Sequence, residues 1–277
     1  MKVNIIGDIH GRYDAFLELI EKMPKADKLI AIGDLVDKGD KSFEVVKYFI
    51  KNKDSSVLLG NHEVLFLSSK SIYHKDLPYL DLSKRTDFRT GYLKFKKGIR
   101  YQLRKLYKNN EEEYLKINKL VASYFASMPL DIKIDNLYIS HAPYTMETKD
   151  MKNYEDNFYK LFISRSPFKN PNYFSVFGHT GKQRYWTQVK NNNKLQINEI
   201  EKPIGKGVKG DAISIDGSPK YLIGINIDTV TLEYKLYVVD GSKEWHKDLG
   251  AKYHFNDYRK KLIKDFIKEW DNYINEN

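Results

Sequence analysis

The chain has 277 residues, a formal charge of +10, 41% hydrophobic and 14% aromatic residues, and no cysteine. This composition excludes a disordered chain, a disulfide scaffold, a thiol nucleophile and a cysteine-bound metal, so any metal must take oxygen and nitrogen ligands. No run approaches the roughly 20 apolar residues of a membrane span, and the opening residues lack the apolar core of a signal peptide, so a cytoplasmic protein with no membrane contact is expected.

In chain order, the apolar pattern predicts a strand at 3–6, a helix at 13–23 with Phe16, Leu17, Ile20 and Met23 on one face, and a strand at 28–32. A second helix at 43–50 and a third strand at 56–59 follow. This alternation predicts helices packed on a largely parallel sheet. From about 64 to 130 the pattern is helical and basic, and it reads as an insertion in a single domain spanning 1–277. Short strand-like runs then dominate, at 132–134, 137–140, 173–177, 185–189, 212–215, 221–227 and 234–239, and predict a second sheet. An amphipathic helix is expected at about 255–275, its apolar stripe covering the core. The charge excess is concentrated: residues 84–108 hold ten basic residues against one acid and interleave them with Phe88, Tyr92, Phe95, Tyr101 and Tyr107. That combination suits nucleic-acid stacking and phosphate contact, or else an amphipathic lid with its aromatics turned inward.

Five apolar runs end in a residue that can bind metal: VNII-G-Asp8, LIAI-G-Asp34, SVLL-G-Asn61, LYIS-His141 and FSVF-G-His179. In an open α/β sheet the carboxyl ends of strands gather along one edge, so these residues can converge there. His10 can join them, two residues beyond Asp8. Three Asp or Asn oxygens and three imidazoles exceed what one small cation takes from protein, and two ions sharing a carboxylate fit better. Such pairs clamp both oxygens of an in-line displacement at phosphorus, which points to phosphoester hydrolysis.

The strings GDIHG (7–11), GDLVDKG (33–39), GNHE (60–63), SHAP (140–143) and FGHT (177–180) resemble the calcineurin-like metallophosphoesterases, specifically the PPP-type serine/threonine protein phosphatases in their small bacterial and bacteriophage form. The resemblance implies an α/β fold, a two-sheet β-sandwich flanked by helices, with a dinuclear metal site at strand ends. It assigns Asp8, His10 and Asp34 to one metal, and Asp34, Asn61, His141 and His179 to a second. It makes His62 the catalytic histidine and Asp37 the carboxylate that orients it, and it gives Lys38, Asn61 and Arg165 to the substrate phosphate. It also implies direct attack by a metal-bridging hydroxide and two divalent ions, Mn²⁺ first, with Fe and Zn as alternatives. Lys38 stands where such enzymes usually carry arginine, a point charge in place of a bidentate fork, and Gly181 stands where proline is common.

Dephosphorylation of phosphoserine and phosphothreonine proteins is the leading expectation. The same scaffold serves symmetrical diadenosine tetraphosphate hydrolases and phosphatases of nucleic-acid ends, so fold and metals do not choose the substrate. Asp37 counts against the dinucleotide hydrolases, in which the resemblance predicts a nonacidic residue there, and the segment 84–108 favours nucleic acid. A catalytically silent phosphate-binding module is a third reading, opposed by the intact ligand positions and His62.

Overall fold

The computed structural model describes residues 1–68, 98–143, 170–181, 184–186, 195–196 and 204–246. Arg165, the basic residues at 84–97 and the helix expected at 255–275 lie outside the described residues. β1 (Lys2–Ile6), α1 (Tyr13–Lys22), β2 (Lys28–Ala31), α2 (Ser42–Lys51) and β3 (Ser56–Val57) form where the apolar pattern places them. On α1 the buried stripe runs through Phe16, Leu19 and Met23, while Leu17 is exposed. Spacings of three and four keep the first three residues on one side, whereas Leu17 is a single 100° step away from Phe16.

α3 (Asn61–Ser68), α4 (Ile99–Leu106) and α5 (Glu111–Ala126) follow. Asn110 caps α5, its side chain accepting the Glu113 amide at 3.0 Å, and Glu111, Glu112 and Glu113 face the positive end of the helix dipole. The remaining strands are β4 (Asp131–Ile134), β5 (Leu137–Ser140), β6 (Phe174–Phe177), β7 (Arg184–Trp186), β8 (Leu195–Gln196), β9 (Ile204–Lys206), β10 (Ala212–Ser214), β11 (Tyr221–Asp228) and β12 (Glu233–Asp240).

Two six-stranded sheets result, with orders β3-β2-β1-β11-β12-β9 and β4-β5-β6-β10-β7-β8. This corrects two expectations. Strands β11 and β12 do not belong to the second sheet: β11 lies antiparallel beside β1, so that only β1, β2 and β3 of the first sheet are parallel neighbours. The run LIGINI (222–227) is buried on both faces, which suits a central position in the sheet. A buried polar pair fixes the register, Asn226 donating to Asn4 Oδ1 at 2.7 Å across directly paired residues.

Alternating side chains of β1 and β2 divide the core. Val3, Ile5, Ile30 and Ile225 face the second sheet and meet Leu137, Ile139, Val176 and Ile213. Ile6 and Ala31 face the other way, against Phe16, Phe49, Phe66, Leu103 and Phe125 of the helices. Helices thus flank the sandwich, and among the described residues none is long and apolar enough to cross a membrane. The sheets touch at the ends of β1 and β10, where a Cβ on Gly7 would collide with the Ile215 carbonyl oxygen. That contact brings the strand ends of both sheets to one place.

Candidate functional site

Each chemistry-bearing residue sits just beyond a strand. Asp8 and His10 follow β1, Asp34 follows β2, Asn61 opens α3 after β3, His141 follows β5, and His179 lies beyond β6. The connecting turns are tight enough to force left-handed backbone on His10 (φ 52°), Asp34 (49°), Asp37 (68°), Lys38 (59°) and His179 (60°). Two glycines make the turns fit. Gly33 has φ +96° and its missing Cβ would lie 2.6 Å from the Gly60 nitrogen, while a Cβ on Gly178 would collide with Asp8 Oδ1.

The structure brings the six expected ligands and His62 together. His10 Nε2 is 3.6 Å from Asp34 Oδ2 and 4.0 Å from Asp8 Oδ2. On the other side of Asp34, His141 Nε2 is 3.5 Å from Asp34 Oδ1 and 2.9 Å from Asn61 Oδ1, which is itself 2.8 Å from His179 Nδ1. The groups His10–Asp34–His62 and Asp34–His141–His179 each gather candidate ligand atoms within 4.8 Å of one another, and Asp34 belongs to both. His62 Nδ1 is 2.8 Å from Asp37 Oδ2, and its Nε2 faces Asp34 Oδ2 at 3.9 Å.

The imidazole tautomers test whether this arrangement fits cations. His10 Nδ1 lies 3.1 Å from the Val36 carbonyl oxygen and His141 Nδ1 lies 2.9 Å from that of Ile32. A carbonyl only accepts, so both Nδ1 atoms carry the proton, and in the neutral rings both Nε2 lone pairs turn inward on the oxygens of Asp34 and Asn61. Lone pairs converging at these distances repel unless a cation lies among them. Burial holds the His10 ring neutral, as ligation requires. Burial, then Asp216 and Asp34, raise the Asp8 carboxyl well above its usual range, a cost that a bound divalent ion relieves. Asp34 behaves oppositely: burial works against its ionisation, but the imidazoles of His141, His62, His10 and His179 outweigh it when they carry charge and hold it below the usual range. The oxygen and nitrogen donor set suits first-row divalent metals.

Three residues without an expected role support the site. Glu63 is fully buried and accepts the amides of Asp34 (2.8 Å), Leu35 (2.8 Å) and Gly60 (3.0 Å), tying the turns after β2 and β3 together. Burial and the Asp34 charge push it up to about 8, against the pull of those amides. Asp216 follows β10 and accepts amides of Gly181 and Ser218; the apolar run AISI ends in it, so the pattern that found the other strand-end residues also marks it. Arg12 is fully buried and donates to the carbonyls of Ile9 (2.9 Å), Tyr221 (3.0 Å) and Asp8. Its value drops to about 10 through burial.

Lys38 is half-buried beside the dyad, its charge opposing protonation of His62, and its carbonyl accepts the His246 amide at 3.0 Å. Of the aromatics in the basic segment, Phe88, Tyr92 and Phe95 lie outside the described residues, Tyr101 is exposed, and Tyr107 packs against the core.

A fold of two sheets flanked by helices, with paired His and Asp groups at the strand ends, defines a metallophosphoesterase architecture. The calcineurin-like phosphoesterase family model matches residues 1–209, and the chain belongs to that family. It is 46% identical over 68 residues to a symmetrical bis(5'-nucleosyl)-tetraphosphatase of Buchnera aphidicola, covering 23% of this chain and 25% of that protein. It is 40% identical over 67 residues to a zinc-dependent endopolyphosphatase of Saccharomyces cerevisiae, covering 22% of this chain and 21% of the relative. The matched stretch thus spans a quarter or less of the length of these curated relatives. Among solved structures, a metallophosphoesterase from Sphaerobacter thermophilus superimposes with TM-score 0.51 at 14% identity, over 87% of this chain and 89% of its own. A Saccharomyces cerevisiae protein serine/threonine phosphatase superimposes with TM-score 0.50 at 12% identity, over 93% and 82%. These last two likenesses show the fold alone.

Proposed function

We propose that the chain is a metal-dependent phosphomonoesterase acting on phosphoserine and phosphothreonine in proteins. Asp8, His10 and Asp34 would hold one divalent ion and Asp34, Asn61, His141 and His179 a second, with Mn²⁺ the expected ion. Bound there, the ions supply charge to the phosphoryl oxygens and acidify the attacking water. The observation that carries the reading is the His62–Asp37 contact at 2.8 Å. Burial works against the His62 imidazolium, but Asp34 and Asp37 outweigh it and raise its value. Nδ1–H is committed to Asp37, which leaves Nε2–H as the proton to donate. A serine or threonine alkoxide is a poor leaving group and needs such a donor.

The second reading, a symmetrical dinucleoside tetraphosphatase, is supported by the 46% identical stretch. A departing nucleoside diphosphate is far less basic than an alkoxide, so a carboxylate-backed proton donor is of less use to it. Lys38 and Arg165 would grip the transferred phosphate in either case. The test is a panel with Mn²⁺ of phosphoserine and phosphothreonine peptides, diadenosine tetraphosphate and end-phosphorylated oligonucleotides. The highest kcat/KM is expected for the phosphopeptides. A preference for the dinucleotide or for the oligonucleotides overturns the reading, and binding of phosphate without turnover of any substrate leaves a phosphate-binding module.

A further inference from the structure

The turn from Asp34 to Gly39 carries three left-handed residues, a backbone that persists only where neighbours over-determine it. Glu63 braces its first half through the amides of Asp34 and Leu35. Its second half is braced from elsewhere in the chain, by α4. Gln102, nearly buried, donates through Nε2 to the Gly39 carbonyl at 2.9 Å and to Ser42 Oγ at 3.3 Å, and accepts the Phe43 amide through Oε1 at 3.3 Å. Ser42 Oγ in turn accepts the Asp37 amide at 2.9 Å. At the first turn of α4 the Ile99 amide donates to Asp37 Oδ1 at 3.2 Å, which leaves Oδ2 for His62. Ile99 and Leu103 anchor α4 in the core, so the brace is rigid.

We propose that Gln102 is a positioning residue for the His62–Asp37 pair: it fixes the 37–42 turn from α4 and so sets the carboxylate against the imidazole. The inference rests on His62 acting as the proton donor. The hydrogen bonds through which Gln102 acts end on Gly39, Ser42 and Phe43, none of them a candidate metal ligand, so its effect should be largest where proton donation limits the rate.

Gln102→Met keeps the length of the side chain and removes the hydrogen bonds that its amide makes with Gly39, Ser42 and Phe43. With native-like circular dichroism and unchanged metal content, kcat on a phosphoserine peptide should fall about tenfold with KM unchanged, the lower end of the loss seen when an outer-shell partner is removed. On p-nitrophenyl phosphate, whose leaving group departs without a proton, the loss should stay under about threefold. In an Asp37→Asn background, Gln102→Met should add nothing further, because both act through one carboxylate. Equal losses on the two substrates, or a full additional loss in the Asp37→Asn background, overturn the inference. If Gln102→Met does not fold, Ser42→Ala cuts the same link at Asp37 and must show the same split between substrates. His62→Asn is the reference: if it shows no dependence on the leaving group, the reading of His62 fails and the inference falls with it. If it does and the brace variants do not, the inference alone fails.

Discussion

His10, Asp34, Asp37, Lys38 and His179 hold left-handed backbones in a site that also buries five carboxylates, Asp8, Asp34, Asp37, Glu63 and Asp216. Which residues gather at one place was legible, because each of the five apolar runs that end in a candidate ligand displays its polar residue at a strand end. Glu63 and Asp216 were visible as letters, but their work is to accept backbone amides, and amide directions are not written in side-chain identities. Asp34 is the point of greatest leverage, as its two oxygens face separate imidazole groups. Asp34→Asn should therefore lower metal content at both sites, measured by elemental analysis, and reduce turnover by about 10²-fold or more, since each ion supplies several kcal/mol of charge stabilisation. Loss of one ion alone would show that the sites are independent. His62→Asn should leave metal content unchanged and lower kcat on phosphoserine peptides by about 10²-fold, the scale of a lost general acid, with a smaller loss on p-nitrophenyl phosphate. Equal losses would make His62 a binding residue.

At the scale of elements, β1 to β3 and the first two helices were legible within a residue or two because period-two and period-3.6 patterns are distinct over such lengths. The sheet to which β11 belongs was not legible, since a strand buried on both faces carries no sign of which neighbours it has. β8 and β9, of two and three residues, lack enough positions to show a period at all. Nor did any pattern mark the short stretch after β12, yet it reaches the site. Glu244 accepts the amides of Ala15 at 2.8 Å and Asp14 at 3.0 Å, capping α1, whose own N-cap residue offers no side-chain bond. Next to it, the Trp245 ring stands edge-on to His10 at 5.2 Å. Glu244→Ala should cost about 1 kcal/mol, the usual worth of a cap, read as a fall in Tm of about 2–4 °C. Glu244→Gln, which keeps an acceptor, should recover most of it. An unchanged Tm in the alanine variant would mean that water caps α1 equally well.

For the whole molecule, the buried acids make stability, pH and metal a single problem. Glu63, raised from 4.5 to about 8, keeps a proton in the folded chain that the unfolded chain has lost across that interval, so stability falls as pH rises through it. Asp8, also raised, acts in the same direction, and the contribution from His62 declines above 6.5 as its raised value is passed. The opposing groups are already spent: Asp34 contributes fully above 3.8, and His10, held neutral by burial, contributes fully above 6.5. Between pH 6.5 and 8 the metal-free protein should therefore lose stability with rising pH, at up to about 1.4 kcal/mol per pH unit for each group protonated in the folded chain and deprotonated in the unfolded one. Divalent ions at Asp8 and Asp34 favour the ionised form of Asp8 and offset the Asp34 charge that helps raise Glu63, and so flatten that slope. They also stabilise by mass action, about 2.7 kcal/mol for one ion at a hundred times its Kd, or roughly 5–10 °C in Tm for a chain of this size. Melting curves across pH 6.5–8 should consequently diverge, falling more steeply in EDTA than in excess Mn²⁺. Parallel curves would show that the ions do not bind next to the buried carboxylates, and the assignment of Asp8 and Asp34 as ligands would have to be abandoned.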